Sequence, residues 1–295
     1  MRPFFENNVL QQQPFKPMII VVDTTKAGSA SNTFVLPIIK DTTETVKIYW
    51  GDGTNSTGVN GNNTHVYAAS GIYTVKIESK IFGGLYFNNL GDKAKITKIA
   101  NYGQGVSRLN IGSFYGCSSL LSIDIGNIVS NGADATNQYR GCTALTTVPL
   151  FNLSSVTNAS AMFAYCAALT TVPLFDLSSV TNAGSMFYQC SNITTVPLFD
   201  LSKVTNASYM FYQCTALTTV PLLNLSKVTN AANMFFGVTL TTQSYSDFLI
   251  NLATLPLQSG VSFHGGNSKY NPAAAIARAY LISNFGWTIT DGGAA

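Results

Sequence analysis

The chain has 295 residues, 46% of them hydrophobic and only 10% charged, with a formal net charge of +3. Disorder demands the opposite balance, little hydrophobicity and much charge, so an ordered fold is expected. Lysine and arginine are scattered without a basic run, which argues against the clustered cations that displace counterions from nucleic acid. No apolar stretch reaches the ~20 residues that cross a bilayer.

Residues 1–16 carry Phe4, Phe5 and Phe15 among prolines and read as an extended segment for attachment to a larger assembly. They lack the apolar core and small-residue cleavage site of a signal peptide. Residues 17–82 then alternate turn residues with β-branched apolar runs, and strands are expected at Met18–Val22, Thr33–Ile39, Thr45–Trp50 and Ile72–Glu78. The Trp50-Gly51-Asp52-Gly53-Thr54 turn, followed by His65-Val66-Tyr67 and Gly71-Ile72-Tyr73-Thr74-Val75, resembles a PKD-type β-sandwich, although the turn is shorter by two residues. The resemblance implies a spacer or binding module. Asp52-Gly53 reads as a hairpin turn, with a calcium site there as the alternative.

From about residue 95 to 238 the chain repeats itself. Copies begin at Leu145, Leu169, Ile193 and Leu217, so the period is 24 residues. Each reads close to L-T-T-V-P-L-F-D-L-S-S-V-T-N-A-x-x-M-F-x-x-C. Prolines 149, 173, 197 and 221 share a column, as do methionines 162, 186, 210 and 234. Weaker copies precede them around Cys117 and Cys142. A 24-residue unit of the L-x-x-L-x-L kind buries its apolar columns only by stacking on its neighbours. In the second copy Leu169, Val172, Leu174, Leu177, Val180, Met186 and Phe187 are expected to point inward. V-T-N-A-x-x-M-F-x-x-C followed by L-T-T-V-P resembles the BspA-like branch of leucine-rich repeats, found in bacterial surface proteins and phage-borne proteins.

Residues 239–295 break the period. Helical spacing covers Ser244–Leu252 and Pro272–Asn284, and short strands are expected at Val261–Phe263 and Trp287–Thr290. This part resembles the terminal module of BspA-like surface and phage tail-associated proteins, and it is expected to cap the open end of the stack. The fold class is therefore α+β and β-rich: an N-terminal β-sandwich, a leucine-rich repeat solenoid and a C-terminal α/β cap.

The cysteines at 117, 142, 166, 190 and 214 lie 25, 24, 24 and 24 residues apart. Zinc ligands usually pair two to four residues apart, and stacked parallel side chains rarely reach disulfide geometry. A column of buried thiols is expected, with no metal and no cofactor. His65 and His264 fall in different modules. Asp176 and Asp200 share a column that Asn152 and Asn224 also fill, so no catalytic carboxylate pair is expected. The columns at Asn158, Asn182, Asn206 and Asn230 are expected to bond to the backbone of the return turn. If Val172 and Leu174 face in, one stripe is left facing out: Thr147-Pro149-Phe151, Thr171-Pro173-Phe175 and Thr195-Pro197-Phe199. Exposed phenylalanines in register mark an interface; the competing reading makes them a minor core.

These features together point to a non-enzymatic virion structural protein, a phage fibre or appendage. Its N-terminal segment would dock other virion proteins, and its repeats would face a host surface protein or glycan. The alternative is a bacterial cell-surface adhesin; homo-oligomerisation is compatible with both. Neither nucleic-acid binding nor membrane insertion is expected, and an enzyme acting on host glycans lacks the carboxylates it would need.

Overall fold

A computed structural model of the chain describes residues 16–40, 43–80, 83–103, 112–124 and 133–295. The protein is β-rich, with two α-helices among the described residues. Its strands are β1 (Met18–Asp23), β2 (Thr33–Ile39), β3 (Val46–Tyr49), β4 (Asn55–Gly58), β5 (Gly61–Val66), β6 (Ile72–Glu78), β7 (Gly84–Leu85), β8 (Ile96–Asn101), β9 (Ser122–Ile123), β10 (Ser262–His264) and β11 (Thr288–Thr290). The helices are α1 (Thr242–Leu252) and α2 (Pro272–Phe285).

β1 is a run of β-branched residues whose Met18, Ile20 and Val22 point inward, the period-2 burial of a strand with one wet face. β2 does the same with Phe34, Leu36 and Ile38. Two sheets result, ordered β4-β3-β6-β1-β8-β9 and β5-β2-β7. Their inner faces meet where Ile38 of β2 approaches Val46 and Ile48 of β3. Gly58 sits at that meeting, and a Cβ there would stand 3.1–3.2 Å from all three side chains. β4 and β5, Asn-Ser-Thr-Gly and Gly-Asn-Asn-Thr-His-Val, escape the hydrophobic pattern because their residues are mostly polar.

The first sheet runs on into the repeats. β1 pairs antiparallel with β6 on one side and with β8 on the other, and β8 pairs in parallel with β9 of the next coil. A buried clamp fixes the junction. Lys95 Nζ donates to the carbonyls of Ser29, Ala30 and Thr33 at 2.7–3.1 Å and lies 3.6 Å from Asp92. The Asp92 carboxylate accepts from the backbone N–H groups of Ser29 and Val35.

Within the repeats the regular ladder lies on the return limb, not on the Leu-Thr-Thr-Val-Pro limb. Ala159, Ala161, Phe163 and Tyr165 donate their N–H groups to Asn182, Gly184, Met186 and Tyr188 of the next coil at 2.7–3.0 Å. The same set recurs from Ala183 to Asn206 onward. Between these bonds the chain turns repeatedly, with residues 161, 165, 185, 189, 209 and 213 in the left-handed region although none is glycine. That conformation costs an ordinary residue about 1–2 kcal/mol, and the interlocked bonds of neighbouring coils hold it.

Side chains reinforce the ladder. Asn158, Asn182, Asn206 and Asn230 each accept, through Oδ1, the N–H two residues on, and Asn206 donates to Asn182 at 3.0 Å. Thr157, Thr181, Thr205 and Thr229 each donate to the carbonyl one coil back. Inside, Phe114, Tyr139, Phe163, Phe187, Phe211 and Phe235 stack ring on ring with centroids 5.4–5.8 Å apart. Offset stacking of this kind adds about 0.5–1.5 kcal/mol per pair beyond burial.

The C-terminal residues continue the stack. Ala231 bridges Phe263, Phe235 donates to His264 O, and β10 then pairs in parallel with β11. Gly266 turns tightly against the last coil at φ +74°, where a Cβ would lie 2.1 Å from Val238 O. Asn271 caps α2 through its side chain, Pro272 follows at the first helical position, and Gly286 ends the helix left-handed. α1 and Phe248 close over the aromatic column by an edge-on contact with Phe235 at 5.8 Å.

Candidate recognition surface

The expected outward stripe is corrected by the structure. Phe151, Phe175 and Phe199 are buried at 1% exposure, and Leu150, Leu174 and Leu198 are the exposed residues, at 57–59%. The cause is local. Phe175 N–H donates to Pro173 O at 2.9 Å, and Phe199 to Pro197 and Leu223 to Pro221 likewise. An i to i+2 bond is a γ-turn. It reverses the alternation after Val172, so Leu174 swings out and Phe175 swings in. Proline starts the turn and has no N–H to give to a ladder. Phe175 then packs on Phe163 at 5.7 Å and on Phe199 at 6.3 Å, forming a second internal column.

Of the other residues expected in that stripe, Thr147, Thr171 and Thr195 are exposed and Pro149, Pro173 and Pro197 are half-buried. Phe4, Phe5 and Phe15 lie outside the described residues. The surface along this limb is therefore a ridge of Leu150, Leu174, Leu198 and Leu222 with a threonine beside each. No charged residue falls within Leu-Thr-Thr-Val-Pro-Leu of any copy. Concavities flank the ridge. One of about 610 Å³ is lined by Thr219, Leu222, Asp247 and Ile250 beside α1. The other, of about 560 Å³, is lined by Ile72, Lys98 and Leu121 near the N-terminal sheet.

Residues 133–248 match a family model described as a Mycoplasma protein of unknown function, DUF285. No curated protein matches the chain. Among solved structures, a leucine-rich repeat protein from Bacteroides ovatus ATCC 8483 is similar at 17% identity with a TM-score of 0.34, over 76% of this chain and 65% of that one. The chain thus spans slightly under two thirds of that protein. Neither similarity bears on the PKD-like resemblance or on a phage fibre.

The groups considered for chemistry have structural roles. Asp176 Oδ1 accepts from Ser178 N and Oγ, and Asp200 Oδ1 from Ser202 N. Those bonds hold both carboxyls below the usual range, and Asn152 makes the same contacts to Ser154. The five cysteines are free and buried. Four of the thiols donate to a carbonyl of the preceding coil, for example Cys190 Sγ to Phe163 O at 3.1 Å. Burial pushes Cys214 up to about 12 and raises the other four as well, which leaves no reactive thiolate at neutral pH.

His65 Nε2 lies 2.7 Å from Asp52 Oδ2 and stacks on Trp50. Burial opposes the charge on Asp52, but bonds from Thr54 and His65 outweigh it and bring the carboxyl to about 2. The Asp52 turn is thereby tied to the neighbouring strand by protein partners. No helix among the described residues is long and apolar enough to cross a membrane.

One surface column was missed. Two positions before each repeat cysteine stand Tyr115, Arg140, Ala164, Tyr188 and Tyr212, with Phe236 in the same place before Val238. Tyr188 and Tyr212 stack at 4.6 Å and 1°, and Tyr212 stacks on Phe236 at 4.9 Å. The spacing that marked the cysteines marks this column too. Its partial exposure, at every position but the buried Ala164, follows from the left-handed turns, which periodicity does not reveal.

Proposed function

We propose that the chain is a non-enzymatic recognition protein whose repeats are displayed on a surface and grip a partner protein along the leucine–threonine ridge. The observation that carries this reading is the exposure of one leucine per coil, in register, on a limb without charge. Exposed aliphatic side chains that line up into one contiguous patch mark an interface, whereas scattered single ones do not. A face 24 residues in period offers the same contact several times, so weak contacts add. The BspA-like resemblance of the repeats supports the adhesin form of the reading. A PKD-like spacer and a capping terminal module fit a displayed array, while a virion appendage rests on the module order alone.

Changing Leu150, Leu174, Leu198 and Leu222 together to serine tests the ridge. The labelled protein and this variant are applied to intact cells of candidate hosts, with circular dichroism of both. The parent is expected to bind saturably, and the variant to keep its thermal midpoint and lose binding. Equal binding by the variant overturns the ridge. Mass spectrometry of purified particles and of cell-surface fractions tests display; recovery confined to the cell interior overturns it.

A further inference from the structure

We propose that the cleft around Arg140 is a second binding site, separate from the ridge, which takes a carboxylate-bearing sugar unit of a surface glycan. The cleft measures about 280 Å³ and is lined by Arg140, Thr136, Asn137, Ser160, Tyr165 and Tyr188, among others. It exists because the aromatic column is interrupted. Where the next two coils read Phe187-Tyr188-Gln189-Cys190 and Phe211-Tyr212-Gln213-Cys214, this one reads Phe163-Ala164-Tyr165-Cys166. Ala164 leaves out the ring that would fill the space, and Tyr165, at φ 63°, tilts by 55° to Tyr188 instead of stacking flat on it.

Arg140 is prepared for an anion. Its guanidinium lies over the ring of Tyr115 from the coil before, at 5.3 Å, and over that of Tyr165 from the coil after, at 5.1 Å. Ring contacts of this kind use the faces of the planar cation and leave its N–H edge. One of those hydrogens goes to Asn137 Oδ1 at 3.3 Å. Among the described residues no carboxylate lies within ion-pair distance of Arg140, whereas Lys26, Lys76, Lys95, Lys98 and Arg278 each have one. A planar edge with free donors matches the two oxygens of a carboxylate.

The surrounding groups select the rest of the ligand. Thr136 Oγ1 is buried and has no hydrogen-bond partner, a state that costs about 1–3 kcal/mol unless something fills it. Ser160 donates its hydroxyl to Gly184 O at 3.1 Å, so its oxygen remains able to accept. Hydroxyls, an amide and the edges of two tyrosine rings suit a sugar, which offers hydroxyls at its rim. The cleft is slightly smaller than the usual range for drug-sized ligands, room for one such unit at a time.

The test uses the full chain and two probes followed by ligand-observed saturation-transfer NMR, methyl β-glucuronide and methyl β-glucoside, which lacks the carboxylate, with sodium sulfate added as an unobserved competitor. The glucuronide is expected to bind saturably and the glucoside about tenfold more weakly or less. Arg140→Gln should remove the difference between the two sugars. Ala164→Tyr combined with Tyr165→Gln, which gives this coil its neighbours' sequence and should fold as they do, should fill the cleft and abolish binding. Leu174→Ser should leave sugar binding unchanged, which separates this site from the ridge. Equal binding of the two sugars by the parent, a preference for the glucuronide that survives Arg140→Gln, displacement by sulfate at equal concentration, or no binding of the glucuronide each overturns the proposal.

Discussion

The two limbs of each coil solve the same packing problem by different means. On the return limb, Asn-Ala-x-x-Met-Phe-x-x-Cys, the backbone bonds from coil to coil at four alternate N–H groups, and side chains of Asn, Thr and Cys add further bonds in register. On the Leu-Thr-Thr-Val-Pro-Leu-Phe limb, backbone bonds between these copies shrink to Thr170 N–H to Thr146 O and Thr218 N–H to Thr194 O among the described residues. Proline and the γ-turn prevent more. That limb is held by what it buries, and its outward leucine is free of structural duty. Backbone pairing thus fixes one side of the stack, and side-chain burial fixes the other.

The sharpest way to break this contrast is to remove a buried ring from the limb that has little else. Phe175→Ala should cost about 3–5 kcal/mol, the range for an aromatic removed from a core, whereas Leu174→Ala next to it should stay within about 0.5 kcal/mol. Urea unfolding of the two variants measures both. Equal costs would mean that the γ-turn does not set which residue packs.

A second experiment concerns the ladder side. Gln138 occupies the column that Met162, Met186, Met210 and Met234 fill in later coils, and it is fully buried with both amide atoms unpartnered. Gln138→Met should extend the column and stabilise the protein by about 1–3 kcal/mol. A lower urea midpoint would show that the amide has work to do there.

The smallest effect is expected at the turn that follows the γ-turn. Bonds from Ser178 and Ser202 hold Asp176 and Asp200 below the usual carboxylate value. Their contribution to stability is therefore present above the unfolded pKa, about 3.9, and is lost as pH falls through the lowered value. Replacing both with Asn, the residue already standing at 152 and 224, should leave the thermal midpoint at pH 7 nearly unchanged. The same change should flatten its decline below about pH 4. An undiminished decline would place that acid sensitivity elsewhere; a separate loss, setting in at higher pH, belongs to His264. Burial lowers the pKa of that ring, and its Nδ1 must stay unprotonated to accept Gly266 N–H. Its contribution is full above the unfolded value near 6.5 and falls as pH drops through the lowered one.

Much of the architecture was legible in residue order. A strict 24-residue period placed Met162, Phe163 and Cys166 in shared columns, and stacking those columns needs no information beyond the period. Strands β2 and β6 and the bounds of α2 were equally plain, because Thr33–Ile39 and Ile72–Glu78 alternate and Pro272 stands near the start of a helix that Gly286 follows. Which of Leu174 and Phe175 faces water was not legible, since both are apolar and alternation chooses the wrong one. The γ-turn that decides it is a hydrogen bond within three residues, stabilised by what Phe175 meets inside. The Arg140 cleft was hidden for a similar reason: its walls come from successive coils and become neighbours only when these stack. Sequence alone determined the repeat and the buried Val, Met, Phe and Cys columns of its return limb, because periodic burial is a property of residue order. Tertiary structure alone decided the faces left to water, because a side chain's direction depends on turns and partners that order does not record.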